Sequence, residues 1–193
     1  MSCPLRPPDE ATSGIYNITM GVTQLVSVDE YLKTEYDPDC DYVDGEVLER
    51  NLGERDHGEL QGEIYAYFKE LAKVLRIRPF IEQRLQIGPS RFRVPDVCLV
   101  AGARPREQVF TRAPLVVIEI LSAEDRMSRM QQKIDDYLTF GVQHIWLVDP
   151  KSRRAWVCSA DGMREAKDGI LRTANPAIEL ALPKIFSAID SNL

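Results

Sequence analysis

Residues 92–100 read FRVPDVCLV, an apolar run broken at its centre by Pro95-Asp96, and residues 115–122 read LVVIEILS, an apolar run broken by Glu119. Near-continuous runs of this kind are the pattern of strands buried on both faces. An ionised carboxylate inside one is costly unless an opposite charge meets it. Alternation along the strand puts Phe92, Val94, Asp96, Cys98 and Val100 on one face of the first run, and Leu115, Val117, Glu119 and Leu121 on one face of the second. Paired in the matching register, the two acids project side by side with Cβ atoms roughly 4.5–5.5 Å apart. At that separation two carboxylates repel, and one stays protonated unless a cation lies between them. Hard oxygen donors without a His/Cys cluster favour Mg2+ or Mn2+ over zinc. Other readings stay open at this point. A Pro-Asp pair also suits an edge position or a bulge, because proline cannot donate to the ladder, and Glu119 also suits a buried ion pair with Lys133 or Arg126.

Outward from these runs the chain reads as an α/β (α+β) protein. Residues 1–20, rich in Pro and small polar residues, read as a flexible leader, and residues 21–193 as a single domain. Ser27 and Glu30 form an S-x-x-E capping box that opens a short helix ended by the DPD cluster at 37–39. Asp44-Gly45 lies between β-prone residues and predicts a hairpin. The stretch 55–76 carries Leu60, Ile64, Tyr67, Phe68, Leu71 and Leu75 at helical spacing, which predicts a long amphipathic helix. Three strands are expected next, in RPFIEQRLQIG, FRVPDVCLVA and APLVVIEILS. A second helix follows, with Met127, Met130, Ile134 and Leu138 on one face and Gly141 as its stop. VQHIWLVDP predicts another buried strand, RRAWVCSADGMREAK a C-terminal hairpin turning near Asp161-Gly162, and IELALPKIFSAI a closing segment. This order predicts a mixed β-sheet flanked by helices, preceded by an N-terminal helix and hairpin.

Composition bounds the function. With 193 residues and 44% hydrophobic content, the chain can bury one substantial core. Its four cysteines lie 37, 58 and 60 residues apart, with only His57 and His144 beside them, which excludes a zinc cluster and a disulfide framework. No 18-residue apolar run and no charged-then-apolar leader is present, so a soluble protein of the reducing cytoplasm, with no membrane partner, is expected. The net charge of −6 is unevenly placed. Residues 1–75 hold 6 Lys/Arg against 16 Asp/Glu, residues 76–133 hold 11 against 6, and the remainder 7 against 8. A net +5 stretch around Asp96 and Glu119 suits a phosphate-bearing substrate, although solvated arginines on strand edges and loops would give the same count.

The segments SVDEYL (27–32), YVDGEVLE (42–49), VPDVCLV (94–100), LVVIEILSAEDR (115–126) and KIDDYLTFGVQHIWLVDP (133–150) together resemble the Uma2 family of restriction-endonuclease-like proteins, within the PD-(D/E)xK nuclease superfamily. The resemblance runs from about residue 20 to near the C-terminus. It implies a restriction-endonuclease-like core in which Asp96 and Glu119 hold a divalent metal, Mg2+ or Mn2+. In the superfamily pattern a lysine stands two residues after the glutamate, but here that position is Leu121. Proteins resembling Uma2 carry the lysine on the following helix, where Lys133 stands, at the border of an apolar stripe with Tyr137 one turn on. No other lysine lies between residues 74 and 150. Glu46 matches the family's DGE pattern but also suits a solvated hairpin residue. His57, at the start of the long helix, also suits a cap or surface position. The implied function is metal-dependent endonucleolytic hydrolysis of DNA, with the basic 76–133 segment on the backbone. The alternative is a catalytically inactive module of the same fold that binds DNA or a protein partner. Cutting both strands of a duplex needs two sites, which makes a homodimer an expectation, although no interface stripe is legible.

Overall fold

A computed structural model of the chain describes residues 25–49, 54–122 and 127–190. The expected leader at 1–20, Cys3 and Arg126 lie outside the described residues. Helix α1 (Val28–Lys33) is capped as expected, the Ser27 hydroxyl accepting from the Glu30 N–H at 3.2 Å. Strands β1 (Asp41–Val43) and β2 (Glu46–Leu48) pair around Asp44-Gly45. Both turn residues lie in the left-handed region, at φ +50° and +102°, as a tight two-residue hairpin requires. The long helix is α2 (Arg55–Leu75), which buries Leu60, Ile64 and Phe68 at one-turn intervals.

Two of the three expected strands are each divided. RPFIEQRLQIG forms β3 (Ile77–Ile81) and β4 (Leu85–Gly88), separated at Glu82, whose φ is +48°. FRVPDVCLVA forms β5 (Arg91–Arg93) and β6 (Val97–Ala101), separated at Pro95-Asp96. The physical reason is the missing N–H of Pro95, which ends one ladder and lets the chain pass to another sheet. Phe92 therefore does not share a strand with Asp96.

The remaining elements are β7 (Val116–Ile120), α3 (Met127–Phe140), β8 (His144–Asp149), β9 (Arg154–Ser159), β10 (Gly162–Glu165), β11 (Ile170–Thr173), β12 (Ile178–Ala181) and α4 (Leu182–Asp190). Gly141 ends α3 with φ +98°. The β9–β10 hairpin turns where expected, and the closing segment divides into β12 and α4, with β11 an unforeseen partner of β12. The main sheet has six strands in the order β10-β9-β8-β7-β6-β3. It is mixed: β7 and β8, joined through α3, pair in parallel, and the other neighbours are antiparallel. A second, four-stranded sheet runs β2-β1-β5-β4.

Helices cover both faces of the main sheet. On one face Leu60, Ile64 and Phe68 of α2 and Ile185 and Phe186 of α4 pack with Val97, Leu99, Val116, Ile118 and Trp146. On the other, Met130, Ile134 and Tyr137 of α3 pack with Cys98, Val117, Ile145 and Leu147. A smaller aromatic core, with Tyr31 stacked on Tyr42 at 4.8 Å and Phe92 tilted against Tyr31 at 5.3 Å, fixes α1 to the four-stranded sheet. Cys40, Cys98 and Cys158 are buried. Burial pushes the Cys98 thiol up to about 12 and the Cys158 thiol up to about 11. Since the thiolate is the reactive form, neither cysteine should be labelled by a thiol reagent at pH 8 until the chain is unfolded, which mass mapping of the labelled protein will show. Labelling of Cys98 in the native state would contradict its packing.

Candidate active site

The broken strand places Asp96 at the joint between the two sheets. Strands β6 and β7 pair with Val97 opposite Ile118. The same register carried one residue further sets Asp96 opposite Glu119, on the sheet face covered by α3. Asp96 is 3% exposed and Glu119 2%, so neither charge is relieved by bulk water. Asp96 Oδ2 accepts the Ile120 N–H at 2.7 Å and lies 3.4 Å from His57 Nε2. From α2, Gln61 Nε2 donates to the Asp96 carbonyl at 3.0 Å. The first turns of α2 thus hold the backbone at the joint that proline leaves without a ladder.

Both oxygens of Glu119 are engaged from α3. Lys133 Nζ donates to Oε2 at 2.9 Å, and Tyr137 Oη donates to Oε1 at 2.5 Å. Lys133 and Tyr137 are one helical turn apart, so the two donors arrive side by side on one face. Burial foremost, with help from the Asp96 charge, holds the Glu119 carboxyl above the usual carboxylate range, against the opposing pull of Lys133 and Tyr137. Burial, with the Glu119 charge next, holds Tyr137 well above the usual phenol range. It therefore stays protonated and keeps donating.

Behind this pair lies a second buried group that sequence reasoning did not find. Lys133 Nζ is also 3.8 Å from Asp41 Oδ2. Asp41, on β1, accepts from Arg93 Nη1 at 2.9 Å and from the Val94 N–H at 2.8 Å. Arg93 in turn donates from Nε and Nη2 to Asp136 of α3, at 2.8 and 2.6 Å, and Arg91 Nη1 reaches the other Asp136 oxygen at 3.0 Å. These bonds bind the four-stranded sheet to α3 at the helical turn that presents Lys133. The available signal was Arg93 itself, a guanidinium inside an apolar run. Its carboxylate partners, 52 and 43 residues away along the chain, carry no local mark.

The structure brings together Asp96, Glu119, Lys133 and His57. Glu46 stands apart, exposed on β2 opposite Val43. The basic 76–133 segment also divides. Arg84 pairs with Asp39 and lies 4.5 Å over the Tyr31 ring, while Arg91, Arg93 and Lys133 pair as described. Arg84, Arg93 and Lys133 are thereby drawn into the fold and the site, while Arg91, still exposed, also pairs with Asp44 of the β1–β2 turn at 2.5 Å.

The residues fit a hard divalent cation. Asp96 and Glu119 are hard oxygen donors set opposite one another and almost fully buried, with His57 at 3.4 Å from the first and Lys133 at 2.9 Å from the second. Mg2+ commonly sits on one or two carboxylates and completes its shell with water and substrate phosphates. Among the described residues no group of three or more His, Cys, Asp or Glu is arranged to hold a metal ion by itself. The fit is to a two-carboxylate site completed by substrate, not to a closed cage.

A family model described as "Uma2: Putative restriction endonuclease" matches residues 28–189. The chain belongs to the Uma2 family. The Uma2 chain is also similar to the crystal structure of a putative nuclease belonging to DUF820 from Anabaena variabilis ATCC 29413. The TM-score is 0.75 at 26% identity over 85% of this chain and 99% of that one. A cryoEM structure of a DrdV–DNA complex shares 13% identity at a TM-score of 0.37, over 67% of this chain and 11% of that one, too slight a likeness to carry an argument. No curated protein matches. The nuclease-like α+β fold expected from the sequence is therefore the fold of this Uma2 chain. Among its described residues no helix is long and apolar enough to cross a membrane.

Proposed function

We propose that this Uma2 chain is a metal-dependent endonuclease that hydrolyses DNA phosphodiester bonds, with Asp96 and Glu119 holding Mg2+ or Mn2+ and Lys133 as the third catalytic residue. One observation carries it above the rest: the Lys133 ammonium reaches Glu119 at 2.9 Å from α3, where Leu121 leaves the superfamily's lysine position apolar. When bound, the ion supplies Lewis-acid stabilisation of charge on the phosphate and lowers the pKa of a bound water. The protein's part is positional. The Ile120 N–H fixes one Asp96 oxygen, and Tyr137 fixes one oxygen of Glu119. Lys133, 14% exposed at its side chain, can orient an attacking water and neutralise charge building on the phosphate. His57, 17% exposed beside Asp96, is placed to meet a phosphate oxygen or water at the same edge.

A second reading has its own support. Both Glu119 oxygens are hydrogen-bonded by side chains of the chain itself, as a purely structural ion pair in an inactive DNA- or protein-binding module would require. Lys133→Met separates the two. It keeps the stem and removes the charge. On the catalytic reading, wild-type protein nicks or cuts DNA with Mg2+ and not with EDTA. The variant folds, and its single-turnover rate falls on the order of 10²-fold or more. Wild-type turnover in the variant would end Lys133's catalytic role, and a wild type inert with both Mg2+ and Mn2+ would favour the inactive module.

The cytoplasmic setting and the single domain over 21–193 belong to this proposal. The homodimer gains no support from the described surface, whose large exposed apolar side chains are scattered: Leu25 precedes α1, and Leu32, Val74, Ile81, Met127 and Met163 sit on five different elements.

A further inference from the structure

The six-stranded sheet ends on β3, and along that edge three hollows of about 390, 540 and 570 Å3 adjoin one another. Arg78 lines the first two and Arg104 the last two, so they form one continuous trough. Its cations are Lys69 and Lys73 from α2, Arg76 and Arg78 at β3, and Arg104 and Arg106 from the stretch after β6; its one carboxylate is Glu107. All six cations are exposed. None forms a salt bridge with another described residue, although Lys69 lies 5.9 Å over the Tyr65 ring. In a chain of net charge −6, a nearly one-signed trough is the departure that needs a reason. The hollow at the opposite edge, beside β10, is mixed. Arg164, Lys167 and Arg172 line it together with Glu165 and Asp168, and Arg172 is paired with Asp168 and Glu179.

The trough leads to the acids. Strand β3 pairs with β6 from Ile77 opposite Ala101 to Ile81 opposite Val97, and the next residue, Glu82, donates its N–H to the Asp96 carbonyl at 3.2 Å. Arg78 opposes Val100 and Phe80 opposes Cys98, so alternation puts Arg78 on the face that carries Asp96. Four residues of strand separate Arg78 from Glu82, about 13–14 Å, which is about four steps of duplex DNA at ~3.4 Å each. We infer that the β3 edge, with the adjoining face of α2 and the stretch after β6, is the track on which a DNA phosphate backbone lies as it enters the site. This inference rests on the DNA-hydrolysing function proposed above, but its test is a binding measurement that needs no turnover.

The full chain is titrated against a labelled duplex of about 30 base pairs in EDTA, by fluorescence anisotropy, over a series of salt concentrations. Three variants accompany the wild type: Arg78→Glu/Arg104→Glu, the milder Arg78→Gln/Arg104→Gln, and Arg164→Glu/Lys167→Glu on the opposite edge as a control of equal charge change. Thermal midpoints confirm that each is folded. Losing two phosphate contacts should weaken binding about tenfold or more at ~0.1 M salt and flatten the slope of log K against log salt by about 1.8. The glutamine pair should act in the same direction and the control should stay near wild type. Equal losses in the trough and control variants would show an effect of net charge alone and overturn the track. Wild-type affinity in the trough variants, or a wild type that does not bind DNA at low salt, would overturn it as well. Cleavage assays on the same proteins keep the two ideas apart, because binding through the trough without cleavage would sink the catalytic proposal and leave the track standing.

Discussion

Asp96→Asn should lower Mg2+-dependent DNA cleavage by about 10³-fold or more while leaving the thermal midpoint unchanged or raised. The substitution is close to isosteric, and the asparagine oxygen can still accept the Ile120 N–H that Asp96 accepts at 2.7 Å. What disappears is one of the two negative charges offered to the ion. Lewis-acid help is worth several kcal/mol, and each 1.36 kcal/mol is tenfold in rate, so loss of the ion gives a change of that size. The stability prediction has the opposite sign from an ordinary buried substitution. The Asp96 charge is one of the influences that raise the Glu119 carboxyl, so removing it relieves a repulsion inside the protein. Single-turnover cleavage and a thermal melt on one preparation check both halves. A fall in activity that tracks a fall in melting temperature would mean that Asp96 supports the fold and not the chemistry.

Arg93→Met should destabilise the protein by about 3–5 kcal/mol, the range for removing one partner of a buried ion pair. Arg93 is 3% exposed and Asp41 5%. Without the guanidinium, Asp41 keeps the Val94 N–H and the more distant Lys133, and Asp136 keeps Arg91. The Asp41 charge would then draw Lys133 away from Glu119, from which it stands only 2.9 Å, so residual activity should fall beyond the loss of folded protein. Adding Asp41→Asn to Arg93→Met should recover part of the stability, since neighbouring groups in one network are not additive. Urea unfolding midpoints measure both. A cost below about 1 kcal/mol for Arg93→Met would place this pair among solvent-screened contacts.

Local signals carried much of the fold. The Ser27 cap, the Asp44-Gly45 turn, the stripe on α2 and the Gly141 stop are each decided within a few residues, and each stands where the sequence puts it. The divided strands were harder to see. An apolar run through Pro95 looks continuous because periodicity records burial and not which sheet a residue joins. The β11–β12 pair was missed for a different reason, being two four-residue strands too short for their alternation to stand out. At the site, Asp96 and Glu119 were legible because a carboxylate is conspicuous in an apolar strand, and Tyr137 was visible one turn from Lys133. Asp41 and Asp136 were not. They sit among the many acids of an acidic N-terminal region and of the amphipathic helix α3, and only the tertiary fold turns them towards Arg93.

The central claim is that Asp96 and Glu119 together hold a divalent ion, and calorimetric titration with Mn2+ tests it most directly. Wild-type protein should bind, Asp96→Asn should not, and a surface control such as Asp161→Asn should match wild type. Lys133→Met should bind as well or better, since a competing cation leaves the Glu119 oxygen it occupies. Binding of equal strength in Asp96→Asn, or none in the wild type, would contradict a metal site at this pair of acids.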